Sequence, residues 1–276
     1  MVLGVFCVIS VLVAAMLCMG KELITWLWLL PVGFLGCFLL LLVLVFLVLY
    51  IMSLLVNTRR EQEQDNPFYR QMAYLVIEVL ITLLGVKVNT WGLENTPKEG
   101  RFLLVCNHLS QVDPVVLLHC FKKSQLAFIS KRENQSMFVV GKIMHKLLCQ
   151  PINRENDREA LKTILKCMDI IRQDKASIAV FPEGYTSLDQ KLHPFRSGVF
   201  KIAQKTKVPI VVCTIDNSQN VKHDIRRLKR PHVNLHLVRV LQPEDYAGLT
   251  TVELGNQIHD IMAEDLGPAY ALEENA

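Results

Sequence analysis

Residues 102–114 read FLLVCNHLSQVDP, an apolar run that passes directly into a short polar stretch. The run FLLVC has the composition of a fully buried strand, and Pro114 suits the first turn of a helix. A strand, a tight turn and a helix form the repeating unit of an α/β domain. This stretch therefore predicts that residues 107–113 lie at the carboxyl end of a central strand, where reactive side chains collect.

The chain from Val86 onward alternates short β-rich runs with helical ones. Apolar strands separated by helices predict an α/β fold, with a mostly parallel sheet covered by helices, over residues 86–276. The predicted strands are 86–91, 102–106, 126–129, 177–181, 209–214 and 233–240. The predicted helices are 114–121, 136–148, 158–173, 196–206 and 250–266.

The first 56 residues are almost entirely apolar, and Lys21 and Glu22 are their only charged side chains. These two charges separate an apolar stretch at 2–20 from another at 23–56, which predicts a membrane-embedded helical hairpin over residues 1–56. A cleaved signal peptide is the alternative for the first stretch, but the basic n-region with which such peptides begin is missing, and no small-x-small cleavage site precedes Lys21.

The second apolar stretch is too long for one upright membrane helix. As a single helix it would measure about 51 Å, against ~30 Å for the hydrocarbon core. We therefore expect it to break or tilt, with a break at Pro31, Gly33 and Gly36. Arg59 and Arg60 follow it directly, and the positive-inside rule then predicts that everything after Asn57 lies on the cytoplasmic side.

Residues 57–85 are predicted to form a linker and an amphipathic helix. Its polar face comprises Arg70, Gln71, Tyr74, Glu78 and Thr82, at spacings of three to four residues. The apolar face comprises Phe68, Met72, Leu75, Val76, Val79, Leu80 and Leu83. Such a helix either lies in the membrane interface or packs on the soluble domain, and periodicity leaves both open.

Composition excludes several classes of function. The net charge of +4 is too small to indicate a nucleic-acid partner. No stretch after Gly85 approaches the ~18 uncharged residues of a spanning helix, so the chain is not a polytopic transporter. Neither a nucleotide-binding loop nor a metal-ligand cluster competes for the site, so we expect no metal and no cofactor.

His108 and Asp113 are a candidate base and its partner. A turn between them can fold the carboxylate onto one imidazole nitrogen, which fixes the tautomer and leaves the other nitrogen as a base. If no protein nucleophile completes this pair, the hydroxyl that loses its proton belongs to the substrate. Ser110 is the alternative nucleophile. The structural alternative is that Asp113 only caps the helix and His108 is an ordinary surface histidine.

Two further stretches carry candidate binding residues. Glu183 and Gly184 follow the strand SIAVF, where a carboxylate and a flexible turn can bind hydroxyls or orient a cation. Arg154, in PINR, can bind a phosphate through two parallel hydrogen bonds, and its alternative is a surface salt bridge. The basic runs Lys201-Lys205-Lys207 and Arg226-Arg227-Lys229-Arg230 either attract anionic lipid or an acidic carrier protein, or are solvated faces.

In order, the chain carries NHLSQVDP at 107–114, Lys131 and Gly141 before PINR at 151–154, FPEG at 181–184 and VPIVV at 208–212. These blocks resemble the four ordered motifs of the glycerolipid acyltransferase superfamily. Among the members of that superfamily, they resemble the 1-acyl-glycerol-3-phosphate acyltransferases most. The resemblance spans residues 87–215. The combination of N-H-x4-D with a later F-P-E-G is highly specific, and the apolar N-terminus is also similar.

The resemblance implies an acyltransferase-type fold. It also implies acyl transfer from an acyl thioester, carried by coenzyme A or acyl carrier protein, to the free sn-2 hydroxyl of 1-acyl-glycerol 3-phosphate, giving phosphatidic acid at the membrane lipid bilayer. His108 would be the general base and Asp113 its orienting partner. The implied substrate-binding residues are Asn107, Lys131, Arg154, Glu183, Gly184 and Arg196.

The third block departs from the pattern E-G-T-R-S, because this chain reads EGYTS at 183–187. Thr186 stands at the arginine position and cannot supply its charge, so phosphate binding must rely on Arg154, Lys131, and Lys191 or Arg196. The acceptor therefore stays open. Glycerol 3-phosphate or another lysophospholipid is the alternative acceptor, and a non-catalytic lipid-binding protein at the membrane is the alternative function.

Overall fold

A seven-stranded sheet organises residues 60–272. The computed structural model describes residues 2–58 and 60–272, and its residues group into two compact units, 1–59 and 60–276. The strands are β1 (Lys87–Trp91), β2 (Leu103–Cys106), β3 (Leu126–Lys131), β4 (Gln150–Ile152), β5 (Ser177–Val180), β6 (Ile210–Asp216) and β7 (His232–Leu241). The helices are α1 (Val2–Cys18), α2 (Leu23–Leu54), α3 (Pro67–Leu83), α4 (Asp113–Cys120), α5 (Val140–Lys146), α6 (Asp157–Arg172), α7 (Lys201–Thr206), α8 (Val221–Arg226) and α9 (Thr251–Leu266).

The first unit consists of the two apolar helices α1 and α2, which pack against each other. Within the described residues, α2 is the one helix long and apolar enough to cross a membrane, and α1 is a shorter apolar helix. This agrees with two apolar helices at the N-terminus. Of the two arginines that predict the orientation, Arg59 lies outside the described residues, and the cytoplasmic orientation stays a prediction.

The predicted break in the second apolar stretch is wrong, because α2 runs through Pro31 as one helix of 32 residues. A proline removes one backbone donor, and a helix in an apolar setting can absorb that loss without ending. Gly33 serves packing instead, since a Cβ there would lie 3.3 Å from Leu17 Cδ1 and 3.5 Å from Ala14. At about 48 Å, the continuous helix still exceeds the hydrocarbon core, so a tilt remains the expectation.

The sheet has the strand order β1-β7-β6-β2-β5-β3-β4. Strand β2 lies between β5 and β6 and is parallel to both. The strands β3 and β4 continue the parallel arrangement, whereas β7 is antiparallel to β6 and parallel to β1. The predicted mostly parallel sheet is therefore confirmed, with β2 near its centre.

Both faces of the sheet are covered by helices. The side chains of β2 alternate, so Leu103 and Val105 join one buried core while Leu104 and Cys106 join the other. Helices α6, α7 and α9 complete the first core, and α3, α4 and α8 contribute to the second. This two-sided burial explains why the predicted strands read as continuous apolar runs.

All six predicted strands are present, with ends shifted by one to two residues. Strand β4 is missing from the prediction, because it has three residues and pairs only through the end of β3. The predicted helix 196–206 is shorter than expected, since residues 197–200 form a 3-10 turn before α7. The predicted helix 136–148 shortens likewise to α5.

Helix α3 packs on the rest of the second unit, and it does so partly through the face that the sequence marks as polar. Ala73, Ile77 and Ile81 enter the second core. Arg70 is 3% exposed, pairs with Asp65 at 2.6 Å, and donates to the carbonyls of Leu126 and Leu147. The contacts therefore show that this face of α3 packs on the core. An interfacial role for the exposed apolar residues of α3 stays a prediction.

Candidate active site

The site begins where β2 ends, and Asn107 fixes that end. Its side chain is 1% exposed, donates to the carbonyl of Ile215 at 2.9 Å and accepts from the N–H of the same residue at 2.7 Å. Asn107 thus bridges β2 to β6 just beyond their last paired residues. The substrate contact implied for Asn107 has no support in this geometry, because both polar groups of the side chain serve the backbone.

His108 and Asp113 lie together as the spacing predicts, with 2.8 Å between His108 Nδ1 and Asp113 Oδ2. The same carboxylate oxygen accepts from the N–H groups of Leu109 and Ser110, at 2.7 and 2.8 Å. Asp113 is the first residue of α4 and is fully buried, so its carboxylate faces back toward the turn. Because backbone donors hold it in place, the carboxylate can orient the imidazole and stabilise its protonated form.

The other sides of the imidazole are occupied by the loop that follows β5. The Phe181 ring stacks on it with a centroid distance of 4.2 Å and an interplanar angle of 19°. Thr186 Oγ1 lies 3.1 Å from His108 Nε2. Asp113, His108 and Thr186 therefore form a continuous carboxylate–imidazole–hydroxyl array.

Glu183 connects the two loops of the site through its buried carboxylate, and the residue is 1% exposed. Oε1 accepts from the backbone N–H of His108 at 2.8 Å, and Oε2 accepts from that of His193 at 3.1 Å. Burial raises the pKa of the Glu183 carboxyl, although the two N–H donors act in the opposite direction. The N–H of Ser187 donates to the carbonyl of His108 at 2.8 Å, a second connection between the loops.

Arg154 and Arg196 approach each other above Gly184. A Cβ on Gly184 would lie 2.9 Å from Arg196 Nε and 3.8 Å from Arg154 Nε, and its φ of 86° also favours glycine. Burial lowers the pKa of the Arg154 guanidinium, and the charge of Arg196 lowers it further. Neither arginine forms an ion pair within the described ranges, since the neighbouring Glu133 and Glu159 pair with other cations. Two close guanidinium groups that form no ion pair with a carboxylate can bind an anion.

A cavity of about 320 Å³ lies beside these arginines. Its wall combines Arg154, Arg196, Lys201 and Asp157 with apolar side chains and the Phe181–Pro182 turn. The deeper apolar lining comes from Ile129, Ile152, Leu161, Ile164, Val180 and Val199. Such a wall can accept a ligand that carries both an anionic group and an apolar portion.

Other candidates lie away from this centre. Lys131 is well exposed, pairs with Glu133 at 3.4 Å and does not line the cavity. Lys191 donates to the carbonyl of Ala269. Ser110, the alternative nucleophile, accepts through Oγ from the N–H of Val112. The protein hydroxyl at His108 Nε2 is that of Thr186.

Sequence reasoning missed the position of Thr186. It considered this residue only as a lost arginine, whereas the hydrogen bond from the Ser187 N–H to the His108 carbonyl brings the neighbouring Thr186 side chain to the imidazole. It also missed Phe181 as the stacking partner of His108. The available signal was that FPEG follows a strand parallel to β2, so that the two loops emerge at one edge of the sheet.

Known proteins of similar sequence are acyltransferases. Residues 87–216 match the family model described as Acyltransferase. The probable 1-acyl-sn-glycerol-3-phosphate acyltransferase of Mycoplasma pneumoniae is 35% identical over 196 residues, which cover 68% of this chain and 73% of that protein. The protein of the same description in Mycoplasma genitalium is 28% identical over 203 residues, covering 69% and 75%.

A solved structure shares the fold. The crystal structure of the 1-acyl-sn-glycerophosphate (LPA) acyltransferase PlsC from Thermotoga maritima matches with a TM-score of 0.60. The match covers 83% of this chain and 89% of that one, at 22% identity. At this identity the likeness supports the fold of the chain.

Proposed function

We propose, because this chain belongs to the 1-acyl-sn-glycerol-3-phosphate acyltransferase family, that it transfers an acyl group from an acyl thioester to the free sn-2 hydroxyl of 1-acyl-glycerol 3-phosphate and forms phosphatidic acid. One observation carries the proposal, namely the imidazole of His108, held by Asp113 on one nitrogen and facing a hydroxyl on the other. An imidazole in this arrangement is a general base for an alcohol.

His108 would remove the proton of the acceptor hydroxyl. With Nδ1–H donated to Asp113, the lone pair of the ring lies on Nε2, and the acceptor hydroxyl takes the place of the Thr186 hydroxyl there. The acceptor oxygen then attacks the thioester carbonyl, the new C–O bond forms, and the C–S bond breaks. The imidazolium returns the proton to the departing thiolate. General-base catalysis of this kind contributes roughly 10²–10⁴-fold in rate.

Arg154 and Arg196 would bind the phosphate of the acceptor. The two guanidinium groups lie close together, and an anion between them removes their mutual repulsion. Arg196 thereby provides the positive charge that Thr186, at the usual arginine position, cannot. Glu183 and Gly184 would shape this acceptor site, Glu183 through the two backbone N–H groups and Gly184 by leaving room for Arg196.

The helix α2 would hold the enzyme at the bilayer that contains its acceptor. Arg59 and Arg60 follow this helix in the sequence, so we infer that the second unit, which carries the site and is called the catalytic unit below, lies on the cytoplasmic face. Acyl-coenzyme A and acyl carrier protein both present a thioester and are available there, so both are candidate donors.

The proposal is tested with the purified full-length protein in nanodiscs, a radiolabelled acyl thioester and a panel of acceptors. The panel contains 1-acyl-glycerol 3-phosphate, glycerol 3-phosphate and lysophosphatidylcholine. We expect phosphatidic acid as the main product. Preference for either of the other two acceptors would assign the same chemistry to another substrate, and absence of transfer to any acceptor would leave a lipid-binding protein.

The mechanism is tested by His108→Ala, with His119→Ala as the matched control. His108 lies in the turn before α4, whereas His119 lies in the last turn of the same helix, beside Glu78. His108→Ala should lower the turnover at least 100-fold with an unchanged circular dichroism spectrum, and His119→Ala should keep most of it. Full activity of His108→Ala would contradict the assignment of the base.

A further inference from the structure

Two leucines, Leu188 and Leu228, are the most exposed large apolar side chains within residues 60–272, at 93% and 96%. Leu188 belongs to the loop that follows β5, and Leu228 belongs to the connection that follows β6 and α8. Because β5 and β6 flank β2 on its two sides and run parallel to it, both leucines lie at the edge of the sheet from which His108 emerges. The side chain of Gln219, in the turn between β6 and α8, donates to that of Gln190 and links this turn to the loop after β5.

The end of α3 lies at the same edge. Arg230 Nε donates to the carbonyl of Gly85 at 3.3 Å, and the N–H of Lys87 donates to the carbonyl of Pro231. Leu83, the last residue of α3, and Leu84, which follows it, are also exposed. Exposed leucines therefore occur on three neighbouring elements of this edge.

Cations surround the tip that carries Leu228. Their side chains are exposed, and none forms an ion pair in the part of the chain that the structure describes; they are Lys222, Arg226, Arg227, Lys229 and Arg230. The nearby carboxylate of Asp224 is half-buried and lies 3.6 Å from His223. This combination of unpaired cations with protruding apolar side chains matches the chemistry of an anionic lipid surface, which offers phosphate above hydrocarbon.

The backbone conformation at Leu228 disfavours a leucine. Leu228 has a φ of 53°, and the N–H of Lys229 donates to the carbonyl of Asp224, which is the capping geometry in which glycine is usual. A leucine there is strained and buries almost none of its side chain. Glycine would relieve this strain, and the exposed leucine side chain adds no packing to the fold.

We propose that this surface, Leu83, Leu84, Leu188 and Leu228 with the basic segment 226–230, docks the catalytic unit on an anionic bilayer. We call it the leucine-basic edge. The leucines enter the boundary between head groups and acyl chains, and the arginines and lysines bind lipid phosphates. This inference rests on the proposed function and adds to it a lipid contact made by the catalytic unit itself.

Docking through the leucine-basic edge turns His108 toward the lipid. The acceptor then reaches the imidazole from the bilayer surface without leaving it completely. A docked edge therefore raises the rate for acceptors presented in a bilayer, and does not alter the chemical step itself.

The experiment compares three full-length variants with the wild type in nanodiscs of phosphatidylcholine, with and without one quarter phosphatidylglycerol. The variants are Leu188→Ser/Leu228→Ser, Arg226→Glu/Arg227→Glu, and the control Lys205→Glu/Lys207→Glu. The control makes the same charge change at the opposite edge, because Lys205 and Lys207 precede β6. Rates are measured with bilayer-borne acceptor and with a short-chain acceptor dispersed in detergent, in each case with acyl-coenzyme A and with acyl carrier protein as the donor.

We expect the wild-type rate with bilayer-borne acceptor to be at least fivefold higher in nanodiscs that contain phosphatidylglycerol than in nanodiscs of phosphatidylcholine alone. Both edge variants should lose at least tenfold in kcat/KM for the bilayer-borne acceptor, and remain within about twofold of wild type in detergent. The control should behave as wild type throughout. Hydrogen exchange at 226–230 should be slower in the anionic nanodiscs and lose that protection in the edge variants.

Equal rates and equal exchange in both lipid compositions would overturn the docking proposal. A loss for Arg226→Glu/Arg227→Glu that appears only with acyl carrier protein as donor, and equally in both lipids, would overturn it too and assign this surface to the acidic carrier. The proposed function fails separately, through absence of acyl transfer by the wild type to any acceptor of the panel. Leu228→Gly provides a further check, because it should raise the thermal midpoint while it lowers the rate on anionic nanodiscs.

Discussion

Thr186 Oγ1 lies 3.1 Å from His108 Nε2, in the direction from which an acceptor hydroxyl must approach the base. The position of Thr186 follows from the main chain, since the neighbouring Ser187 N–H donates to the His108 carbonyl at 2.8 Å. In the free enzyme a protein hydroxyl thus occupies the place that the substrate hydroxyl needs.

Thr186→Val tests this relationship, because valine keeps the shape of the side chain and removes its hydroxyl. The acceptor no longer has to displace a hydrogen bond worth about 1 kcal/mol, so its KM should fall by roughly threefold to fivefold with little change in kcat. Steady-state kinetics with varied acceptor concentration measure this change. Thr186→Ser, which retains the hydroxyl, should resemble wild type.

A different result for Thr186→Val would assign another role to the hydroxyl. If kcat falls 100-fold or more while the fold persists, Thr186 takes part in the chemistry and the direct attack by the acceptor hydroxyl is wrong. A denatured-mass measurement after mixing with acyl thioester alone would then be expected to reveal an acyl group on Thr186.

Asp113→Asn should reduce kcat strongly without unfolding the protein. One carboxylate oxygen accepts hydrogen bonds from His108 Nδ1–H and from two backbone N–H groups. An amide in its place has no charge, and where its NH2 group faces Nδ1 it turns the imidazole to the other tautomer. We expect a loss of roughly 10²–10⁴-fold in kcat and a small change in KM. A KM effect alone would show that Asp113 shapes the binding site and does not support the base.

Arg196→Ala should weaken acceptors that carry a phosphate and spare those that do not. A charge-assisted hydrogen bond is worth about 1.5–3 kcal/mol, so KM for 1-acyl-glycerol 3-phosphate should rise roughly 10- to 100-fold. Activity with monoacylglycerol should change little. Arg132→Ala is the matched control, because that arginine is exposed and pairs with Glu159; an equal effect in both variants would contradict a specific phosphate contact for Arg196.

Much of the fold can be predicted from the sequence, because buried parallel strands are continuous apolar runs with clear ends. The strand FLLVC and the proline that starts α4 locate the turn that holds His108 and Asp113. Strand β4 could not be predicted in this way, since three residues are too few for a pattern. The pattern left the placement of α3 open, because it could not reveal that the polar residues Arg70 and Tyr74 satisfy buried carbonyl groups.

The candidate site divides along a similar line. Contacts within one turn, such as His108 with Asp113, follow from spacing. Contacts between distant loops do not, and Thr186 with His108 is separated by 78 residues. Asn107 illustrates a third case: its place in the motif is recognisable, but only the structure reveals that the backbone of Ile215 uses both of its polar groups.

The buried Arg70 should be important for stability. Its guanidinium pairs with Asp65 and serves the carbonyls of Leu126 and Leu147. Arg70→Met leaves these groups without a donor, and we expect a loss of roughly 3–5 kcal/mol in unfolding free energy. Urea unfolding in detergent measures it, with the exposed Arg158→Met as control. The double variant with Asp65→Asn should recover part of the loss, and no recovery would contradict the ion pair as its cause.

Glu183→Gln should change both the stability and its dependence on pH. Glutamine can accept from only one of the two N–H groups of His108 and His193, and leaves the other opposed by its own amide, at a cost of roughly 1–3 kcal/mol.

Burial raises the pKa of the Glu183 carboxyl in the folded state. The folded state therefore favours the protonated carboxyl. This stabilisation is complete below the unfolded pKa of about 4.3 and is lost as pH rises through the higher folded pKa. The stability difference between wild type and Glu183→Gln should consequently be largest at low pH and shrink toward neutrality, as measured by thermal unfolding from pH 4 to 8. A difference that grows with pH would mean that the two N–H donors outweigh burial and that the carboxylate of Glu183 is the favoured form.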